Sequence, residues 1–415
     1  MSAAARLVNR SSIAPAVTSR RAPAKRDTIR PYRSDLAIDI IHDIETFLAL
    51  EHDWNDLLDG AGKNRLAFQS FAWVRSWLTA YLPNTNYQSQ TVAIVTARLN
   101  GRLRLICPFT VKNVFGINCL TWLGEPASQY GDIIKGGDEP APEMIAATIG
   151  FAIEQLQPDI VHLRKVREDA AILPWLEAQN AAQTAVDEAP FLDFRDATSF
   201  NGYCAKYSAK SRRNRRRLRR RLEEAGAVST TVLSAGAAAR EAVRIGLTFK
   251  QAWLIERGLV SSALRDPYMP GFLEHFVGHA DDRAAPFVSV MRCGETPVSV
   301  QFGIVAKQRL ALHMIAYNPK TEKSGAGVLH IEDTIAHCIE HGLTELDFLA
   351  PNAPYKQAWA DGAVPIGDYV SARTLKGRVY AQAYLCSTRD VLKTRVQALP
   401  LGIRQSIAKR IQKPL

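Results

Sequence analysis

The sequence predicts an α/β (α+β) protein of two tandem units, each a mixed, mainly antiparallel sheet flanked by helices. Three observations predict it. A strand hairpin stands in each half of the 415 residues, turned at Asn100-Gly101 and at Gly294-Glu295. Each hairpin is preceded by helical periodicity and followed by a strand, a loop, a helix and a strand, an order that reads as internal duplication. Between the halves lies Tyr207–Gly226, YSAKSRRNRRRLRRRLEEAG, with ten cations counted from Lys206 and no acid before Glu223. Arg and Leu favour helix, a serine at 208 or 211 can cap its start, and Gly226 can stop it. So many guanidiniums on one helix repel each other unless acidic groups or a polyanion lie against them.

Composition narrows the class. An apolar content of 47% suits packed globular cores. The net charge of +11 is local: residues 1–34 carry +7 and residues 206–221 carry +10, leaving −6 on the rest. That pattern argues for one focused cationic site and a basic tail, not for a surface coated for nucleic acid. The six cysteines show no CxxC pair and read as reduced thiols of a cytoplasmic protein. No apolar run reaches the roughly 18–20 residues of a membrane helix, and no signal-peptide core is present. The Ala/Ser/Arg-rich start superficially resembles a transit peptide, but its few apolar residues show no amphipathic period, and a disordered basic tail is expected.

In chain order, 36–44 alternates as a strand, and 46–58 places Phe47, Leu50, Trp54 and Leu57 on one helical face. A second helix, 70–81, carries Trp73, Trp77 and Leu78 and ends before Pro83. Strands at 90–99 and 102–112 flank Asn100-Gly101, a strong hairpin signal. Short strands follow at 118–123 and 132–134, then a helix at 142–156, a strand at 160–163, a helix at 170–178 and a strand at 191–194. In the second half, helices at 237–257 and 268–279 precede strands at 287–293, 297–306 and 310–317. A loop to Gly327, a helix at 328–341 stopped by Gly342, and a strand at 345–349 complete the unit. Residues 370–415 read as mostly helical and basic, with part packed back on the first half. The expected divisions are 1–34 (tail), 35–195, 196–230 (basic connecting helix), 231–375 and 376–415.

Four stretches carry a family resemblance: Phe68-Gln69-Ser70-Phe71-Ala72-Trp73 with Trp77; Trp122-Leu123-Gly124 with Ser128-Gln129-Tyr130-Gly131-Asp132; the basic helix with Ser208, Lys210, Arg212, Asn214, Arg216, Arg217, Leu222, Glu223, Glu224 and Gly226; and Leu346-Asp347-Phe348 with Tyr355-Lys356 and Trp359. Together they resemble the CelD-type branch of the GNAT acyltransferases, linked to cellulose and exopolysaccharide synthesis and similar in layout to Fem-type aminoacyltransferases. The resemblance spans roughly residues 35–375 and implies two GNAT-like units. Two places depart from it: Ala326-Gly327 stands where a Pro-Gly is common, and Pro351-Asn352-Ala353-Pro354 where a Gly or an acid is common.

Candidate site residues follow, each with a plainer reading beside it. Ser324, Gly325, Ala326, Gly327 and Val328 open a helix, where free N–H groups and the helix dipole favour phosphate; the resemblance implies docking of the coenzyme A pyrophosphate, and the plainer reading is a flexible loop. Lys356, after Tyr355, could bind an acceptor anion or stabilise an acyl-transfer oxyanion, the role the resemblance implies, with its ammonium aimed at the cleft; the alternative is a surface lysine. Asp347 reads as a base or, preferably, as a strand-end carboxylate that orients the next loop. Tyr317 ends a strand where it could meet a thiolate leaving group, or it is a rim tyrosine of the core. Arg212, Arg213 and Arg216, with Tyr355, are candidates for binding an anionic acceptor; RNA ranks lower because no aromatics interleave with the arginines. The alternative is a structural helix packed on an acidic face of the first half. The spacings His275/His279 and His337/His341 lack a third ligand, and His330, His337 and His341 read as a solvated helix face, so no metal is expected. Cys204 and Cys293 have no histidine partner nearby in sequence, which leaves a cysteine nucleophile unsupported.

The resulting expectation is a cytoplasmic acyltransferase. It would move an acyl group, acetyl by preference, from acetyl-CoA to an amine or hydroxyl of a saccharide-related acceptor, without a covalent enzyme intermediate. The site lies in the second half, and the first half shapes the acceptor groove. Two alternatives stay open: an aminoacyl-tRNA-dependent transferase of Fem type, and a non-catalytic scaffold of a polysaccharide-synthesis complex that docks through the basic helix.

Overall fold

The structure, a computed structural model, describes residues 35–61, 67–83, 90–137, 140–279 and 281–412; the expected tail, 1–34, lies outside the described residues. The first half runs β1 (Leu36–Ile41), α1 (Ile44–Leu48), α2 (Glu51–Gly60), α3 (Phe71–Tyr81), β2 (Gln90–Leu99), β3 (Arg102–Val114), β4 (Ile117–Trp122), β5 (Ile134–Lys135), α4 (Pro142–Leu156), β6 (Ile160–Arg167), α5 (Leu173–Ala178) and β7 (Ala182–Asp193). The short α6 (Phe200–Cys204) and the basic α7 (Ala209–Glu223) lead into the second half. There follow β8 (Val228–Leu233), α8 (Ala237–Glu256), α9 (Ser262–Arg265), α10 (Met269–Val277), β9 (Ala285–Cys293), β10 (Thr296–Ala306), β11 (Arg309–Tyr317), α11 (Ala326–Glu340), β12 (Glu345–Asp347), α12 (Pro354–Gln357) and β13 (Gly362–Ala372). Three helices close the chain: α13 (Leu375–Tyr380), α14 (Arg389–Ala398) and α15 (Leu401–Ile411).

Local chemistry sets these boundaries. Asn100 (φ 52°) and Gly101 (φ 76°) take the left-handed pair that a tight hairpin between β2 and β3 requires. The Ser70 hydroxyl caps α3 by accepting from the Trp73 amide, and that helix buries Trp73 and Trp77. Ser208 caps α7 by accepting from the Ser211 amide.

All strands join one sheet in the order β1-β2-β3-β4-β6-β13-β7-β12-β11-β10-β9-β8, with β5 beside β3. Each half repeats a meander that ends in a parallel pair, β4 with β6 and β11 with β12. The last strand of each half then crosses over. β7 pairs with β12 of the second half, β13 pairs with β6 of the first, and the two lie antiparallel at the centre. The sequence reading recognised only the end of β7 and none of β8 or β13. β13 occupies residues expected as the lead-in to a helical tail, and it is the partner that β6 would otherwise lack.

One core runs across both halves. Trp73 meets the rings of Phe272 and Phe276 edge-on at 4.6 and 5.1 Å, so α3 and α10 share a buried aromatic layer. A second core of Leu310, Leu312, Ile331, Ile335, Cys338 and Leu346 lies beneath α11. His330 is not on a solvated face as expected. It is fully buried, 2.8 Å from each of Ser289 Oγ and Ser299 Oγ. Because Ser299 Oγ donates to the Ala316 carbonyl, it accepts from His330 Nδ1, and Ser289 donates to Nε2. Burial pushes the imidazole down to about 3, so the ring stays neutral. The helix following β13 packs on the first half, as expected, but α15 lies against α8 of the second half, where Gln405 and Gln412 donate to the Glu256 and Leu259 carbonyls.

Candidate active site

The site begins with a mismatch in strand length. β11 pairs with β12 at only three positions, Arg309–Glu345, Leu310–Leu346 and Ala311–Asp347. β11 continues to Tyr317, while the chain after β12 turns away at Leu349 (φ 59°). No described strand pairs that edge of β11 beyond Ala311, so the strands open into a wedge. β11 also carries one extra residue opposite Phe302–Ile304 of β10. A bulge of this kind re-aims the side chains beyond it. Here it leaves Met314 and Ala316 in the core with α8 and turns Ile315 and Tyr317 toward the wedge.

A cavity of about 440 Å³ fills the wedge. Its walls are Ser211, Asn214 and Arg215 of α7; Lys250 and Trp253 of α8; Ile315, Ala316 and Tyr317 of β11; Gly325, Gly327, Val328 and Ile331 of the α11 start; and Tyr355, Ala358 and Trp359 at α12. Trp253 Nε1 donates to the Tyr317 hydroxyl at 2.6 Å and holds that ring at the end of β11. Two glycines make the approach close. Gly325 caps α11 in the left-handed conformation (φ 76°), and a Cβ there would stand 2.8 Å from Leu218 of α7. A Cβ on Gly327 would stand 3.1 Å from the Tyr317 ring. No side chain caps α11, and its first turn faces the cavity.

The cavity carries cations and no acid. Lys250 Nζ donates to the Ile315 carbonyl at 3.3 Å and lies 4.8 Å from the Trp253 ring centre. Burial, then Arg257, pushes its pKa down. Arg215 is buried; its Nε donates to Glu332 at 2.6 Å, an Nη donates to Ser211 Oγ, and its guanidinium stacks 4.7 Å over Trp359. The lining contains no Asp or Glu. In a site of low polarity this balance favours an anionic ligand.

The sequence candidates separate. Tyr317, Gly325, Gly327, Val328 and Tyr355 line the cavity. Ser324 and Ala326 do not; the Ser324 hydroxyl donates to the Thr321 carbonyl, and Ala326 is buried under α7. Lys356 is not aimed at the cleft. It is buried, and its ammonium donates to the Leu349 and Pro351 carbonyls at 2.8 and 2.9 Å. Asp347 also lies outside this cavity. It accepts from the Tyr130 hydroxyl, from Arg167 at 3.3 Å and from the Leu349 amide at 2.7 Å, and so ties the halves together and orients the loop after β12. Burial holds its pKa above the usual carboxylate range, against the pull of Arg167.

On α7, Arg213 and Arg216 are exposed and Arg212 is half-buried, and none of the three lines the cavity. The acidic partners of α7 are Glu332, bonded to Arg215, and Asp333, bonded to Arg219; both belong to α11 and not to the first half. Arg215, Lys250 and Trp253 escaped the sequence reading. Arg215 is one of ten cations, and only the stripe Ser211–Arg215–Leu218–Leu222 marks it as facing inward. Replacing Arg212, Arg213 and Arg216 by Gln should shift stability by less than about 0.5 kcal/mol each. Arg215→Ala should cost about 1–2 kcal/mol, because Glu332 loses its partner but keeps some water. Thermal melts compare the two.

The first half has the same wedge without the space. β4 and β6 pair at two positions, and the Trp122 ring then fills the opening so closely that a Cβ on Gly131 would lie 2.1 Å from it. The crevice left there is about 40 Å³. All the lining of the large cavity comes from residues 211–359, so the first half lends it no wall. Among the described residues no group of His, Cys, Asp or Glu is placed to hold a metal ion, all six cysteines are free, and no helix is long and apolar enough to cross a membrane.

Residues 209–357, from the start of α7 to the end of α12, match the family described as an acetyltransferase (GNAT) domain. The matched segment contains most of the cavity, and this part of the protein is an acyltransferase domain of the GNAT type. The fold extends the likeness over both halves. FemX superposes with a TM-score of 0.53 at 9% identity, over 84% of this chain and 100% of that one. The C-terminal (DUF2156) domain of a putative lysylphosphatidylglycerol synthetase from Agrobacterium fabrum does so at 0.51 and 10% identity, over 81% and 95%. A tandem GNAT protein from the clavulanic acid biosynthesis pathway reaches 0.49 at 12% identity, over 81% and 98%. For the first two, at these identities, the likeness is one of fold. No curated protein matches the sequence.

Proposed function

We propose that the cavity takes an acyl-coenzyme A, with acetyl as the acyl group, and that the enzyme transfers it to an amine or hydroxyl of a saccharide-related acceptor, as a CelD-type enzyme of polysaccharide or cell-envelope synthesis. The wedge between β11 and β12 carries this reading. It ends at the uncapped first turn of α11, and of its two lining cations Lys250 meets only a carbonyl and a ring, while Arg215 is paired with Glu332 behind the wall. Gly325, Gly327 and Val328 would receive the pyrophosphate. The acceptor's nitrogen or oxygen attacks the thioester carbonyl, the C–S bond breaks, the leaving thiolate takes a proton, and the acceptor gives up one in exchange, so that no net proton is gained or lost. The Tyr317 hydroxyl, which accepts from Trp253 Nε1 and lines the cavity, would supply that proton. The acceptor's charge meets Arg212, Arg213 and Arg216, which stand on the helix that lends Ser211, Asn214 and Arg215 to the wall.

Calorimetry with acetyl-CoA tests this reading. Val328→Asp puts a carboxylate in the first turn of α11, where it suits the helix dipole and repels phosphate. Donor affinity should fall about tenfold while the melting temperature holds or rises. Unchanged affinity in that variant would remove the pyrophosphate from the α11 start.

One observation favours a second reading, an aminoacyl-tRNA-dependent transferase: the exposed arginines of α7 stand beside the cavity wall. Retention of tRNA on a filter together with no acetyl-CoA heat would move the assignment there.

A further inference from the structure

A surface outside the cavity combines two properties that seldom meet. The β3–β4 turn puts Phe115 at its tip, 86% exposed. On α13, Leu375 is 79% exposed and Val379 65% exposed, one helical turn apart on the outer face. The inner face is pinned by Gly377, where a Cβ would lie 2.0 Å from the Asp159 carbonyl oxygen. The turn and the helix are stitched together. Lys376 Nζ donates to the Gly116 carbonyl at 3.3 Å and pairs with Asp159, and the Phe115 ring meets Tyr384 edge-on at 6.4 Å. Three large apolar side chains thus project from a rigid base. Arg373 and Arg378 flank them, both exposed and neither held by a described carboxylate. Beyond them α14 presents Val391 and Val396 to solvent. Residues 373–415 hold ten basic residues and one acid, Asp390, a net +9.

We propose that this face docks on an anionic lipid bilayer, with Phe115, Leu375 and Val379 entering between headgroups while Arg373 and Arg378 engage lipid phosphates. The charge selects the occupant. A second copy of the chain, meeting this face with its own, would set Arg373 and Arg378 against the same two cations. Nucleic acid would meet the cations but leave the three apolar side chains in water. A bilayer with anionic headgroups satisfies both, the arrangement of interfacial amphipathic anchors. The inference is independent of the acyl donor and of the acceptor.

Flotation with vesicles tests it, using phosphatidylcholine alone and phosphatidylcholine mixed with phosphatidylglycerol. The full chain should float with the mixed vesicles, not with the neutral ones, and lose binding as salt rises. Arg373→Gln with Arg378→Gln should weaken binding about thirty-fold, about fivefold for each cation. The triple change Phe115→Asn, Leu375→Gln, Val379→Gln should weaken it at least tenfold; Asn suits the positive φ at 115. All five side chains are exposed, so both proteins should melt with the parent. No flotation of the parent, or equal flotation of parent and both variants, overturns the proposal. So does light scattering that finds a parental dimer which the triple change dissolves, because the face would then be covered by a second copy.

Discussion

Arg167→Ala should lower the unfolding free energy by about 3–5 kcal/mol, the cost of leaving a buried charge without its partner. Arg167 and Asp347 are each 4% exposed, and their contact joins β6 of the first half to β12 of the second. Arg167 also lies 4.9 Å over the Tyr130 ring, whose hydroxyl donates to the same carboxylate. Removing the guanidinium therefore strands Asp347 with two neutral donors in a dry setting. Adding Asp347→Asn should recover more than half of the loss, because the amide needs no counter-charge. Urea unfolding of the two single variants and the double variant measures the coupling. An Arg167→Ala protein within about 1 kcal/mol of the parent would mean that Asp347 is already protonated when folded.

Lys356→Ala should cost about 2–4 kcal/mol, since the Leu349 and Pro351 carbonyls lose their donor and the buried stem leaves a void. Those carbonyls lie in the loop that carries Tyr355 and Trp359 to the cavity, so donor affinity should fall with stability. Turnover lost at unchanged stability and affinity would instead place the ammonium on the reacting carbonyl, the role the family resemblance implies. A pH signature accompanies the change. Burial pushes Lys356 down to about 8 from an ordinary 10.5. Between those values the unfolded chain binds a proton that the folded chain does not, so stability rises with pH across that window. Lys165, also pushed down to about 8 by burial, contributes in the same range. The slope should shrink in Lys356→Ala without vanishing.

The features legible in the sequence were those set by neighbours in the chain. Asn100-Gly101 dictates its hairpin because left-handed backbone is cheap there, and the Trp73–Trp77 spacing marks a buried helix face whatever lies opposite. The glycines at 325 and 327 announced a close approach, and the structure supplies what is approached, Leu218 and Tyr317. What stayed hidden depends on distant partners. β13 reads as an unremarkable GAVPIGDYVSA until β6 and β7 stand on either side of it. His330 stands between Leu329 and Ile331 in sequence, and only the two serines of β9 and β10 explain how its polar ring can be buried with them. Lys356 is adjacent in sequence to a residue of the cavity wall, yet its loop folds two carbonyls over the ammonium and turns it away.

The crossing of β7 and β13 also bears on how such a chain can be divided. A gene cut between the halves would give two pieces, each missing a central strand and each carrying a spare one shaped for its sibling. Such pieces could regain the native sheet by finding one another, with the spare strand as the recognition element. Two halves that trade strands in this way cannot be separated by shedding either one. The first half, its own wedge closed by Trp122, is a frame for the second: it supplies β7, the strand against which β12 and the wall of the large cavity are built.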